Sequence, residues 1–151
     1  MAAYNFKPQF VDAILRAEKM HTIRAPRKRR TKVGETVHLF TGQRTKKCKL
    51  LMRAICTKVE NIEIDGGWET VSGEFFGHVI IDNNRIDGDE LEALARSDGF
   101  SSFDEMMEFW RGRLPFTGEI IHWNTPEALE FQRLVPSASN VRFVDPRRGA
   151  A

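Results

Sequence analysis

The stretch Lys47–Ile64 constrains the fold of this chain more than any other part of the sequence. Its apolar residues, Leu51, Ile55 and Val59 among them, lie in a β-rich sequence. A typical strand has about five or six residues, and this stretch is about three times as long. It therefore predicts either two strands or one strongly bent strand, with a β-sheet at the centre of the fold.

Shorter patterns predict the elements on either side of this stretch. Apolar residues at strand spacing predict strands at Tyr4–Phe6, Thr36–Thr41, Glu74–Ile81 and Thr117–Trp123. Helical spacing and capping residues predict helices over Pro8–Ala17 and Gly88–Ser97, from Ser102 through Trp110, and from Thr125 to Leu134. The segment Asp65–Gly67 predicts a turn, and Asp87 is the predicted cap of the second helix.

The order of these elements bears on the fold class. Strands precede and follow a pair of helices without βαβ alternation, which argues against a doubly wound dinucleotide-binding domain. We expect an α+β fold, a small mixed β-barrel with helices packed at one end. The length predicts a single domain over residues 1–135, followed by a poorly ordered C-terminal tail over residues 136–151.

Charge is divided unevenly along the chain. Residues 1–58 contain 15 Lys and Arg against 3 Asp and Glu, a net +12, whereas residues 59–151 contain 8 against 18, a net −10. The basic half concentrates its charge in Arg27–Lys32 and Arg44–Lys49. An isolated basic run is usually a solvated loop, but two such runs among so few acids favour a polyanionic partner. RNA, DNA or a nucleotide would fit.

Several classes of protein are disfavoured by what the sequence lacks. Residues 1–10 show no basic segment followed by an apolar core, and no apolar run approaches the ~20 residues that span a membrane. On one extended strand Cys48 and Cys56 would lie about 26 Å apart, too far for a disulfide. No metal-ligand spacing accompanies them. We therefore expect a cytoplasmic protein with reduced thiols and without a membrane partner, a metal or a cofactor.

The segment Ala17–Arg24, read as AEKMHTIR, holds the candidate chemistry. If the chain turns at Met20–His21 and then extends, Thr22 and Arg24 point to one side and Ile23 to the other. A lysine and a threonine can form a base and its nucleophile, and an arginine can hold an anion or an oxyanion. On the residues alone, three surface side chains at a helix exit remain the simpler interpretation.

Three segments together resemble the ASCH domain family of the PUA-like β-barrel superfamily: AEKMHTIR, VGETVHLF, and DGFSSFDEMMEFW followed by GEIIHW. The resemblance spans about residues 4–123. It implies a small β-barrel with a cleft that binds RNA or nucleotides. Small bacterial members of the family include amidohydrolases that remove the acetyl group of N4-acetylcytidine through a Lys/Thr/Glu triad.

The resemblance also implies roles for individual residues. Lys19 would be the proton acceptor, Thr22 the nucleophile and Asp98 the proton donor, while Arg24 would hold a phosphate or the developing oxyanion. Two features depart from the family pattern: Ala17 replaces its usual glycine, and Asp98 is about 1 Å shorter than the family glutamate, enough to matter for a triad.

The predicted function is hydrolysis of an N4-acylated cytidine or a similar modified pyrimidine nucleoside in a basic cleft. Further substrate-binding residues are expected to be basic or aromatic: His21, Arg27, Arg29, Arg30, Lys46, Lys47 and Trp68. The alternative is an RNA-binding module or a ribonuclease of the same family. A third interpretation is an adaptor that binds a protein partner through its acidic C-terminal half.

Overall fold

A computed structural model describes residues 2–135, and the predicted tail over residues 136–151 lies outside the described residues. Within them the fold is a mixed α+β structure, as the sequence predicted, and it contains seven strands and four helices. The strands are β1 (Ala2–Phe6), β2 (His21–Arg24), β3 (Thr36–Thr41), β4 (Lys49–Trp68), β5 (Phe75–Ile81), β6 (Asn84–Ile86) and β7 (Phe116–Asn124). The helices are α1 (Val11–Leu15), α2 (Asp89–Ser97), α3 (Phe103–Trp110) and α4 (Pro126–Leu134).

The strands form one hydrogen-bonded sheet whose main path is β1-β3-β4-β5-β6, with β7 paired to β4 and to β2. Strand β1 runs parallel to β3, so that Tyr4 lies opposite Leu39, whereas β3, β4, β5 and β6 pair antiparallel. Over residues 2–135 this path does not return to its first strand. The α+β class is therefore confirmed, and closure into a barrel stays a prediction.

The described residues divide into two compact units. The first comprises residues 2–20, 31–59 and 122–135, and the second residues 21–30 and 60–121. The first unit has a core of buried apolar side chains that includes Tyr4, Ile14 and Leu39, and the Tyr4 hydroxyl lies 2.6 Å from Thr31 Oγ1. The second unit has its own core: Ile62, Ile64, Val79, Ala95, Met106 and Ile120.

The long β-rich stretch forms one strand, β4, and not two. It is one continuous strand that pairs with β3 through its first part and with β5 from Ile62 to Trp68. The turn predicted at Asp65–Gly67 is therefore wrong. The reason is a close approach of backbones, because a Cβ built on Gly66 would lie 2.5 Å from the carbonyl oxygen of Phe76. Glycine is needed here by the neighbouring strand and not by a turn.

Of the three helices with a predicted N-terminal cap, two have a side chain that caps the helix. Ser102 Oγ accepts a hydrogen bond from Glu105 N at the start of α3, and Thr125 Oγ1 accepts one from Ala128 N at the start of α4, as predicted. Asp87 does not cap α2. Its carboxylate accepts a hydrogen bond from Arg85 Nε, and Gly88, at φ 55°, precedes the first helical residue instead.

The first predicted helix is shorter than its apolar spacing indicated. A 3-10 turn covers Pro8–Phe10, α1 ends at Leu15, and Ala17 adopts a left-handed backbone conformation with φ 58°. The helix cannot continue through a residue with positive φ.

No helix between residues 2 and 135 has the length and apolar character that crossing a membrane requires.

The two cysteines occupy different surroundings in the first unit. Cys48 is exposed and precedes β4, so the prediction that both lie on one strand is wrong, while Cys56 is buried within β4. Both are free thiols, as predicted. Burial raises the pKa of the Cys56 thiol, the Glu35 carboxylate adds to the rise, and a hydrogen bond to Lys58 O opposes it.

Alkylation should separate these two thiols. We expect iodoacetamide at pH 8 to modify Cys48 in the folded protein and to leave Cys56 unmodified, because only a thiolate reacts and Cys56 resists deprotonation. Intact mass measured over time should show one adduct under native conditions and two in concentrated urea. Two adducts formed at similar rates in the folded protein would contradict the burial of Cys56.

Candidate functional site

Six polar or charged residues are buried among the described residues: Lys19, His21, Thr22, Thr31, Asp98 and Glu119. Four of these six belong to the site predicted from the sequence. Moving a charged or polar group out of water costs several kcal/mol unless other groups compensate it (about 2–7 kcal/mol for an uncompensated hydroxyl or amide). The interpretation of the motif as surface residues at a helix exit is therefore wrong for Lys19 and Thr22.

Lys19 lies in the first unit, two positions after the left-handed residue Ala17. The amides of Glu18 and Lys19 both donate to the Ala13 carbonyl, at 2.9 and 3.0 Å, which fixes the exit from α1. The Lys19 side chain is only 2% exposed. Its Nζ atom lies 5.0 Å from the centre of the Phe10 ring and 5.9 Å from that of the Phe6 ring, so two aromatic faces line its ammonium group.

Strand β2 arranges the next residues of the motif in the second unit. Thr22 and Ile23 are buried and Arg24 is half-buried. The Arg24 Nε–H donates a hydrogen bond to Thr22 Oγ1 over 2.9 Å, which confirms that the two side chains lie on the same side of the strand. The expected turn at Met20–His21 differs in one respect, because His21 already belongs to β2. The guanidinium therefore orients the Thr22 hydroxyl.

Asp98 reaches this region from the end of α2. It is the C-terminal cap of that helix, and Gly99, at φ 97°, reverses the chain immediately after it. The carboxylate is buried, and its Oδ1 atom lies 3.2 Å from His21 Nε2. A negative charge at a helix C-terminus is unfavourable for the helix. The position of Asp98 is therefore better explained by its contact with His21 than by helix stability.

Glu119 is a buried carboxylate that the sequence analysis missed. It lies on β7 and is 6% exposed, and its Oε1 atom is 3.8 Å from Nε of the exposed Arg30. Both residues line a cavity of about 260 Å³, together with Asn61, Glu63 and Thr117. The available signal was a glutamate in the middle of the apolar strand sequence GEIIHW.

The other predicted binding residues lie at the surface. Arg27, Arg29, Arg30, Lys46 and Lys47 are all exposed. Trp68 is 58% exposed and lines a different cavity of the second unit, described below. The substrate-binding roles of these residues stay predictions. Over residues 2–135 the structure contains no group of three His, Cys, Asp or Glu side chains that could hold a metal ion.

The pairing of β2 with β7 depends on Gly118. A Cβ built at this position would lie 2.3 Å from the Arg24 carbonyl oxygen and 2.5 Å from Cζ of Phe116. Only a residue without a side chain lets the two strands approach this closely. Gly118 therefore helps to hold Arg24 in place beside Thr22.

Replacing the left-handed alanine by glycine should stabilise the protein. An L-residue in this conformation costs about 1–2 kcal/mol, and the greater freedom of glycine in the unfolded chain offsets part of the gain. We expect Ala17→Gly to raise the free energy of unfolding by up to about 1 kcal/mol in urea titration. Ala13→Gly within α1 is the matched control and should lower it by about 1 kcal/mol. A destabilising Ala17→Gly would contradict the positive φ.

Gly118→Ala should have the opposite effect. A methyl group forced against the Arg24 backbone should lower the free energy of unfolding by about 1–3 kcal/mol, because neither backbone can move aside cheaply. Gly112→Ala serves as its control, since a Cβ at Gly112 meets nothing within 4 Å. Urea denaturation of both variants measures the difference, and equal stability of the two would argue against the close approach of β7 to β2.

Comparison of the chain with protein-family models, with curated proteins and with solved structures finds no match.

Proposed function

We propose that this protein is an amidohydrolase that acts on N4-acylated cytidine or a similar modified pyrimidine nucleoside. The observation that carries the proposal is the burial of four polar side chains. Lys19, His21 and Thr22 belong to the motif, and Asp98 is the predicted proton donor. Buried titratable groups of this kind concentrate at functional sites, because structural positions rarely tolerate their desolvation.

The nucleophilic step in this proposal uses Lys19 and Thr22. Neutral Lys19 accepts the Thr22 hydroxyl proton while Thr22 Oγ1 attacks the acyl carbonyl of the substrate. The two are three positions apart in the sequence, so their Cα atoms are at most about 11 Å apart. The hydrogen bond from Arg24 already fixes the hydroxyl, which supports its role as a positioned nucleophile.

The remaining steps use Arg24 and Asp98. The Arg24 guanidinium, half-buried beside Thr22 Oγ1, stabilises the oxyanion that forms when the carbonyl is attacked. Collapse of this intermediate breaks the bond to N4, which takes a proton from the Asp98 carboxyl, and leaves an acyl group on Thr22. Water then attacks the acyl group and gives up a proton to Asp98, and the acyl group leaves as a carboxylic acid while Thr22 Oγ1 takes back its proton from Lys19. The balance is acylcytidine plus water giving cytidine plus acid.

His21 acts on Asp98 in this scheme. His21 Nε2 lies 3.2 Å from Asp98 Oδ1, so the imidazole is placed to orient the carboxyl group of the proton donor. We also propose that the protein is a member of the ASCH family, with a PUA-like barrel, a nucleoside or RNA partner and a cytoplasmic location.

A second candidate function is RNA binding without catalysis. It is favoured by the exposure of both basic runs, in particular Arg27–Arg30 in one unit and Lys46–Lys47 in the other. Exposed lysines and arginines neutralise phosphates and release counterions, so affinity for RNA should fall steeply as salt rises. This function does not require Lys19 or Thr22.

The test is turnover of N4-acetylcytidine by the wild-type protein and by Thr22→Val. Loss of the hydroxyl should lower kcat by about a hundredfold or more, because the nucleophile is removed while the side-chain shape is nearly kept. Separation of cytidine from substrate by liquid chromatography measures the rate. Lys19→Met should likewise lower kcat by about a hundredfold or more, because it removes the proton acceptor.

Thr57→Val is the matched control, because Thr57 is an exposed threonine of β4 outside the motif. It should keep wild-type turnover, and circular dichroism should show that all variants are folded. A wild-type protein that leaves the substrate intact would contradict the amidohydrolase. Salt-sensitive RNA binding by that same sample, unchanged in Thr22→Val, would support the second function instead.

A further inference from the structure

The second unit contains a cavity of about 600 Å³ that plays no part in the proposed reaction. It lies where β4 ends, where β5 begins and along α3. Its volume is in the range of cavities that hold small ligands or the side chains of a partner. None of His21, Thr22, Arg24 and Asp98 lines it.

Aromatic rings form one part of its lining. Trp68 and Phe76 are 58% and 52% exposed. Two large aromatic side chains exposed on one cavity form an apolar surface of the kind that marks a binding site. The Trp68 and Phe75 rings already stack a cation of this chain: the Arg111 guanidinium carbon lies 5.0 Å from the centre of the Trp68 ring and 5.1 Å from that of Phe75. The ring faces of this cavity are therefore suited to a guanidinium group.

Carboxylates form the other part of the lining. Glu74, Asp104 and Glu108 line the same cavity, and Arg111 is the one basic residue in its lining. The net charge of the lining is therefore −2. The Arg111 Nη2 atom is 2.9 Å from Glu108 Oε2, so one carboxylate is already neutralised. The remaining charge repels phosphate and attracts a cation. This sign argues against a nucleic acid stacked on Trp68.

We propose that this cavity binds an arginine side chain presented by an extended segment of a protein partner. A guanidinium fits the lining better than an ammonium group, because its planar face stacks on aromatic rings while its edge donates paired hydrogen bonds to carboxylates. The cavity is wide enough to take flanking residues of a peptide as well as the one side chain. Arg111, whose guanidinium lies near the Trp68 and Phe75 rings and beside Glu108, shows that this lining accepts such a group.

The probe is a fluorescein-labelled hexapeptide that contains two arginines, and its control has citrulline in place of each arginine. We expect the arginine peptide to bind the full-length protein and the citrulline peptide to bind at least tenfold more weakly, as measured by anisotropy. Trp68→Ala should weaken binding about tenfold, which corresponds to about 1.4 kcal/mol. Phe131→Ala, another exposed aromatic residue, should leave binding unchanged.

Arg111→Gln tests the sign of the site, because it removes the resident cation. A cation site should bind the arginine peptide severalfold more tightly in this variant, whereas an anion site should lose affinity. Glu74→Gln should weaken binding severalfold, and Glu90→Gln, an exposed glutamate of α2, should not.

Equal binding of the citrulline peptide would overturn the proposal, as would a Trp68→Ala variant that binds like wild type. Binding of free arginine amide as tight as that of the peptide would overturn the assignment to a protein partner. Displacement of the peptide by oligouridylate, with oligouridylate binding lost in Trp68→Ala, would assign the cavity to nucleic acid and also overturn it.

Discussion

The hydrogen-bonded ladders of β4 are the interaction on which the rest of this fold depends. One strand supplies partners to β3 through its first part and to β5 through its last part, and so contributes to both compact units. Its length is possible because Gly66 removes the side chain that would otherwise collide with the Phe76 backbone. A β-branched residue, which strands usually favour, would be excluded at this position.

The candidate site combines residues whose burial is difficult to explain by stability alone. A buried lysine and a buried aspartate both act against folding unless other contacts compensate for their desolvation. Proteins tend to keep such arrangements where chemistry needs them. The Thr22–Arg24 and His21–Asp98 contacts show how the second unit orients its share of these groups.

The sequence predicted what depends on local chemistry. The caps at Ser102 and Thr125 are contacts between residues three apart, and the alternation of Thr22 and Arg24 follows from strand geometry. The sequence failed where a distant neighbour decides the outcome. The sequence around Gly66 predicts a turn because the approach of Phe76 leaves no mark on the local pattern.

The same limit applies to the candidate site. Burial of Glu119 beside Arg30 joins residues that are far apart in sequence, and no local pattern pairs them. The cavity around Trp68 likewise requires α3 to lie beside the end of β4 and the start of β5. The sequence also did not predict the left-handed conformation of Ala17, because an alanine gives no local sign of a positive φ.

The exposed run Arg27–Arg30 has a consequence for the integrity of the chain. It lies outside any helix or strand, and its side chains are the ones that trypsin-like proteases recognise. Cleavage there would leave α1, Lys19 and β2 on one fragment and β3 through α4 on the other. The motif that holds the candidate chemistry would then be joined to the rest of the protein by non-covalent contacts alone, so a nicked preparation could look pure in its folded state and separate only on denaturation.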